Sequence, residues 1–125
     1  RFIVSPGSTA ALARAAREAG AAYMPGIQTV SEAMAMAELG HQLLKFFPAG
    51  AAGGIDWLKA VAAPLGGLSF CPTGGVTAES ASQYLALANV ACVGGSWVAP
   101  AKAVATQDWA AVERLAVAAC GLKGR

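Results

Sequence analysis

A lysine and two glycine turns are the residues in this chain whose types and spacing could do chemistry. Lys45 lies in "LLKFFP" (residues 43–48), the one charge in an otherwise apolar run. An ammonium group leaves water at a high cost unless it is paired or neutralised. One reason for its position is structural: the stem lies on apolar surface while the head snorkels to solvent or meets a carboxylate. The other is chemical. Desolvation disfavours the charged form, and a neutral amine attacks a carbonyl to give a Schiff base. Leu43 and Phe47 are the apolar neighbours such a pocket needs, and Pro48 ends the run and fixes its turn. The residues alone leave both readings open.

The glycine turns are Thr73-Gly74-Gly75 and Gly94-Gly95-Ser96. Glycine lets a backbone approach a ligand closely, and the N–H groups that open a following helix attract an anion. A Gly-Gly pair is also ordinary turn chemistry. Two pairs at successive run ends point to phosphate, with 96–100 ("SWVAP") long enough for a short extra helix beside them.

Other candidates read as structural. His41 precedes the lysine run in a polar turn and is expected to be solvated. Glu18, Glu32, Glu38, Glu79 and Glu113 fall on expected helices, with Glu32 explained as a cap; none is placed to act as a base. Trp57, Trp109, Met34 and Met36 read as core or helix packing. Cys71, Cys92 and Cys120 are odd in number, have no metal-ligand spacing and read as reduced core thiols.

The elements that must position Lys45 and the turns alternate regularly. Short apolar runs (1–4, 21–24, 43–47, 68–71 and 90–93) end in Gly/Pro punctuation and are followed by amphipathic stretches (9–20, 28–39, 55–63, 78–88 and 109–119). Thr9 is a candidate N-cap, Gly20 a helix stop, and Thr29-Val30-Ser31-Glu32 a capping box. Runs apolar on both faces, alternating with helices, predict a parallel α/β sheet with right-handed crossovers. Period two puts Leu43, Lys45 and Phe47 on one face and Leu44 and Phe46 on the other. This parity favours part of a (β/α)₈ TIM barrel over an open sheet, with Ser5, Lys45, Thr73 and Ser96 gathering at one mouth. Five βα units make a single partial barrel over residues 1–125, with three units absent. The chain opens inside an apolar run, which reads as a cut edge.

Composition sets the outer bounds. Hydrophobic residues form 56% and charged residues 13%, which excludes a disordered chain. No apolar run approaches a membrane span, and a net charge of +2 with scattered basic residues argues against nucleic acid or anionic lipid. With no leader visible and reduced thiols, a cytoplasmic setting is expected.

Together "FIVSPG", "PGIQTVSEA", "KFFPA", "FCPTGG" and "GGSW" resemble, in order and spacing, the bacterial 2-keto-3-deoxy-6-phosphogluconate aldolases, which overlap with the 4-hydroxy-2-oxoglutarate aldolases. The resemblance covers essentially the whole chain. It implies a class I aldolase on a (β/α)₈ barrel, usually a homotrimer. Such an enzyme splits the phosphorylated keto acid into pyruvate and glyceraldehyde 3-phosphate in the Entner–Doudoroff pathway. By the same resemblance Lys45 forms the imine with pyruvate's keto carbon and Phe47 lines the pyruvate pocket. Thr73, Gly74, Gly75, Gly95 and Ser96 hold substrate and phosphate, and Pro6 and Pro25 shape the same mouth. No metal or organic cofactor is implied, because the protonated imine serves as electron sink. Gly50 departs from the family's usual glutamate after Pro-Ala. The family's first three βα units, with their glutamate base, an arginine and a threonine, have no counterpart here. A phosphogalactonate aldolase and a non-catalytic phosphate-binding fragment are the alternatives.

Overall fold

The computed structural model describes residues 2–122. Four helices start where a short polar side chain reaches the free N–H groups of the first turn, the usual means of satisfying donors that have no helical partner. In α1 (Ala10–Glu18) Thr9 accepts from the Leu12 N–H at 3.1 Å, and Gly20 ends the segment at φ +64°. In α2 (Val30–Glu38) the Thr29 and Glu32 side chains cap each other's backbone N–H groups. α3 (Gly54–Val61) starts from a left-handed Gly53. Thr77 and Ser80 form a second box at α4 (Ala78–Leu85). A short helix α5 (Ala101–Ala105), which is not among the expected helices, precedes α6 (Trp109–Cys120), capped by Asp108.

All strand pairing is parallel. β1 (Phe2–Val4) pairs with β2 (Ala22–Met24), and β3 (Gly26–Ile27), β4 (Leu43–Phe46) and β5 (Ser69–Pro72) form a second sheet in that order. The second expected strand (21–24) is β2, and a further short strand, β3, follows it across Pro25, which has no N–H to give a ladder. Its carbonyl still accepts the Lys45 N–H at 2.8 Å, so the two sheets meet there.

Strand parity places the core. Leu44, Phe46, Phe70 and Ile27 point into the helix layer and are fully buried with Leu58. Trp57 of α3 stacks on Phe46 at 4.3 Å between centroids and meets Phe70 edge-on at 5.5 Å. Such pairs add to plain area burial. Lys45 lies on the opposite face, as the period-two reading expects, and is half-buried.

Several expectations are corrected. Residues 90–93 do not form a fifth strand: two isolated bridges, Phe70↔Val90 and Thr73↔Gly94, are all that pairs there. Between them the pairing slips by one residue, and an extra residue interrupts a ladder. The described residues therefore hold two small parallel sheets rather than five regular βα units. Trp109 and Met34 are exposed, whereas Trp57 and Met36 join the core. Cys120 is exposed and not a core thiol. His41 is half-buried rather than solvated, its ring set edge-on to Tyr23 at 5.4 Å.

Candidate active site

The C-terminal ends of the strands form a continuous arc of the residues singled out by their chemistry. At its centre is β4. Its backbone is held from both sides: the Lys45 N–H donates to Pro25 and the Phe47 N–H to Ile27 at 2.9 Å, while the Thr73 N–H donates to the Phe46 carbonyl at 2.9 Å. Register aligns Lys45 with Gly26 on one side and Cys71 on the other. The Lys45 ammonium lies over the Phe47 ring, 4.6 Å from its centroid, a cation–π contact on the open face of the sheet.

The first glycine turn docks directly on this assembly. The Ala49 N–H donates to the Thr73 carbonyl at 2.8 Å and the Gly50 N–H to that of Gly74 at 2.9 Å. Gly74 has φ +87°, and a Cβ there would stand 3.0 Å from two carbons of the Phe47 ring, so both conformation and space require glycine. The second turn follows. The Gly94 N–H donates to Pro72 at 2.9 Å, and Gly94 packs against the Thr73 side chain. Gly95 leaves room for the Trp97 ring, which a Cβ would overlap, and Ser96–Val98 forms a single 3₁₀ turn.

At the other end of the arc, Gly26 lies against the backbone of Ser5 and Pro6 so closely that no side chain fits, and the Ser8 hydroxyl donates to the Gly26 carbonyl at 2.9 Å. That packing brings Pro6 beside β3, while Pro25 is buried next to Lys45. Ser5 faces elsewhere, its hydroxyl bonded to the Gly7 carbonyl and to Tyr23.

Two features went unnoticed in the sequence. Gly26 carries no motif beyond "PGI", and its requirement is a packing one between distant segments. Cys71, aligned with Lys45, has a neighbour in Cys92. The neighbouring Cys92 thiol, the Thr73 hydroxyl and the Lys45 charge bring the Cys71 thiol down to about 6, against the opposing effect of burial. Cys92 is pushed up in turn by the neighbouring Cys71 thiol and by burial. Physically, the pair releases one proton readily and keeps the second. Of the carboxylates, Glu32 is held below its ordinary range by the Gln28 and Thr29 N–H groups, at 2.7 and 2.8 Å, and serves the α2 cap. Among the described residues no cluster of His, Cys, Asp or Glu is arranged to hold a metal, and no helix is long and apolar enough to cross a membrane.

Parallel strands backed by helices, with a lysine and two glycine turns at the strand C-termini, define an α/β protein of the kind that keeps its chemistry at the carboxyl end of the sheet. The family model for KDPG and KHG aldolase matches residues 1–115, and this chain belongs to that family. It is 47% identical over 116 residues to the 2-dehydro-3-deoxy-phosphogluconate aldolase of Dickeya dadantii, covering 93% of this chain and 54% of that one. Solved structures agree. The KDPG aldolase of Legionella pneumophila, with pyruvate captured as a covalent carbinolamine intermediate, matches at TM-score 0.90 and 43% identity over 95% of this chain and 58% of its own. The Zymomonas mobilis enzyme with 3-phosphoglycerate matches at TM-score 0.90 and 42% identity, covering 98% and 57%. The chain spans about half the length of the curated relatives it matches.

Proposed function

We propose that this chain is the Lys45-bearing, C-terminal portion of a class I aldolase barrel, acting on 2-dehydro-3-deoxy-6-phosphogluconate and on 4-hydroxy-2-oxoglutarate. The observation that carries the reading is the position of Lys45: an amine on the open sheet face, at the strand C-termini, walled by Phe47 and flanked by two glycine turns. The carbinolamine captured in the Legionella relative supports it, since a carbinolamine is the adduct of an amine with a carbonyl.

In this reading the neutral Lys45 amine adds to the substrate's keto carbon, and loss of water gives a protonated imine. The bond between the third and fourth carbons then breaks, its electrons passing into the imine as the aldehyde leaves. The remaining enamine takes a proton, and water releases pyruvate from Lys45. The imine supplies the electron withdrawal, so the step calls for no metal. Phe47 and Pro25 would border the pyruvate end. Thr73 and the Gly74, Gly75, Gly95 and Ser96 backbone would hold the phosphate end, with Pro6 beyond. The 3-phosphoglycerate of the Zymomonas relative supports a phosphate-bearing ligand. The proton-transferring base, and the three βα units that close the barrel into a cytoplasmic trimer, belong in this proposal to the family's remaining half.

The test is borohydride reduction in the presence of pyruvate, followed by peptide mapping. Mass added at Lys45 is the expected result. A folded chain that is labelled elsewhere, or not at all, refutes the assignment. Side-by-side cleavage of the phosphogluconate and phosphogalactonate epimers by the barrel containing this chain then distinguishes the two sugar acids.

A further inference from the structure

The slip in pairing beyond β5 has a chemical result. Cys92 lies in the slipped stretch between the Phe70↔Val90 and Thr73↔Gly94 bridges, close enough to Cys71 to act on its thiol. Cys71 is at the same time the register partner of Lys45, so the lysine and the two thiols lie on three neighbouring segments. Paired segments lie about 4.8 Å apart, and disulfides span Cα separations of about 4.4–6.8 Å. Cys71 is buried, but its half-buried neighbour Cys92 lines a 570 Å³ cavity bounded by Gly94, Gly95, Trp97 and Cys120, the route by which a small hydroperoxide would reach the pair. The Thr73 hydroxyl lies 3.8 Å from the Cys71 sulfur.

We propose that Cys71 and Cys92 are a modification site: a dithiol that a hydroperoxide converts reversibly to an intramolecular disulfide beside Lys45. The Cys71 thiolate attacks one peroxide oxygen, forming an S–O bond as the O–O bond breaks. The departing hydroxide or alkoxide takes a proton, and Cys71 is oxidised to the sulfenic acid while the peroxide is reduced. The Cys92 thiol gives up its proton and its sulfur attacks that of Cys71. The S–O bond breaks, hydroxide leaves and combines with the proton, and the S–S bond forms. Two thiols and one hydroperoxide become one disulfide, one water and one alcohol or second water. Cys71 suits the first step because its thiolate persists near neutral pH; once it is a neutral sulfenic acid, the thiolate that pushes Cys92 up is gone, which eases the ionisation Cys92 needs for the second. A consequence follows that rests on the proposed role of Lys45. The disulfide draws the segment carrying Gly94 and Gly95 toward β5 and distorts the turn proposed to hold the substrate beside Lys45, so imine formation slows.

The experiment uses the full 125-residue chain and its Cys120→Ser variant, which retains only the two thiols in question. Each is treated with hydrogen peroxide in slight excess and mapped without reduction. A linked Cys71–Cys92 peptide pair in the monomer, reversed by dithiothreitol, is the expected result, with pyruvate–borohydride labelling of Lys45 falling about fivefold on oxidation and returning on reduction. In the Cys92→Ser variant Cys71 should pass to the sulfinic acid instead. Free thiols after treatment, sulfinic acid at Cys71 with Cys92 intact, or linkage only between chains would each overturn the proposal. A chain whose Lys45 is never labelled but whose disulfide forms refutes the lysine's role and leaves the thiol site standing.

Discussion

Gly74 and Phe47 lock the two halves of the candidate site together: the glycine sits at φ +87° against the aromatic ring that also carries the Lys45 ammonium. One ring therefore senses both the amine and the first glycine turn. Gly74→Ala meets two penalties, a left-handed backbone and a methyl 3.0 Å from ring carbons. A loss of about 1–3 kcal/mol in stability is expected from the backbone alone. The change should also lower Lys45 labelling, because the ring must move. Thermal melts and borohydride trapping check this, and wild-type behaviour in both would contradict the coupling.

Lys45→Met keeps the stem and removes the amine. It should leave the fold intact, since the side chain makes its contact with an open-face ring rather than in the helix-layer core. Pyruvate–borohydride labelling should vanish. Unchanged circular dichroism with residual specific labelling would move the nucleophile elsewhere.

Trp57 ties α3 to β4 and β5 by stacking on Phe46 and meeting Phe70 edge-on. Trp57→Ala is expected to cost about 3–5 kcal/mol, enough to leave much of so small a domain unfolded. Urea denaturation measures it; a loss below about 1 kcal/mol would mean that the aromatic triplet is not central to the core.

The α2 cap has a pH signature. Glu32 is held below its ordinary range, so its contribution is fully present above the unfolded carboxylate's pKa and is lost as pH falls through the folded value. Thr29→Ala should cost about 1 kcal/mol. Glu32→Gln should be destabilising at neutral pH and should converge with the wild type in acid. Parallel stability curves across that range would show that the charge is irrelevant.

Thiolate absorbance should titrate with a midpoint near pH 6, the value toward which the Cys92 donor, Thr73 and Lys45 bring Cys71. Cys92→Ala removes the first of these and should move the midpoint up toward an ordinary thiol. A midpoint that stays in place would show that Cys92 is not the donor.

What the sequence revealed, and what it concealed, follows from how far the deciding contact lies along the chain. The Thr9 and Thr29 caps and the Gly20 stop were readable because donor and acceptor sit within four residues. The opposite facing of Lys45 and Phe46 followed from strand parity alone. The lysine's chemistry did not: residue pattern left it open until the resemblance was added. Residues 90–93 read as a strand because they are apolar, yet a strand needs an in-register partner, and the slip against β5 is invisible in either segment. The same slip concealed that Cys71 and Cys92 are neighbours. Trp109 was misplaced because a helix's apolar residue shows its face only when its neighbours are known. Gly26 was missed because its requirement comes from Pro6, some twenty residues earlier.

The Lys45 N–H, fixed at 2.8 Å to the Pro25 carbonyl, makes time an observable of this site. Its amide deuteron can leave only when β4 parts from the Pro25 bend, the seam between the two sheets. The exchange lifetime of that one amide therefore clocks how often the seam opens. It does so with no substrate present and without involving the amine.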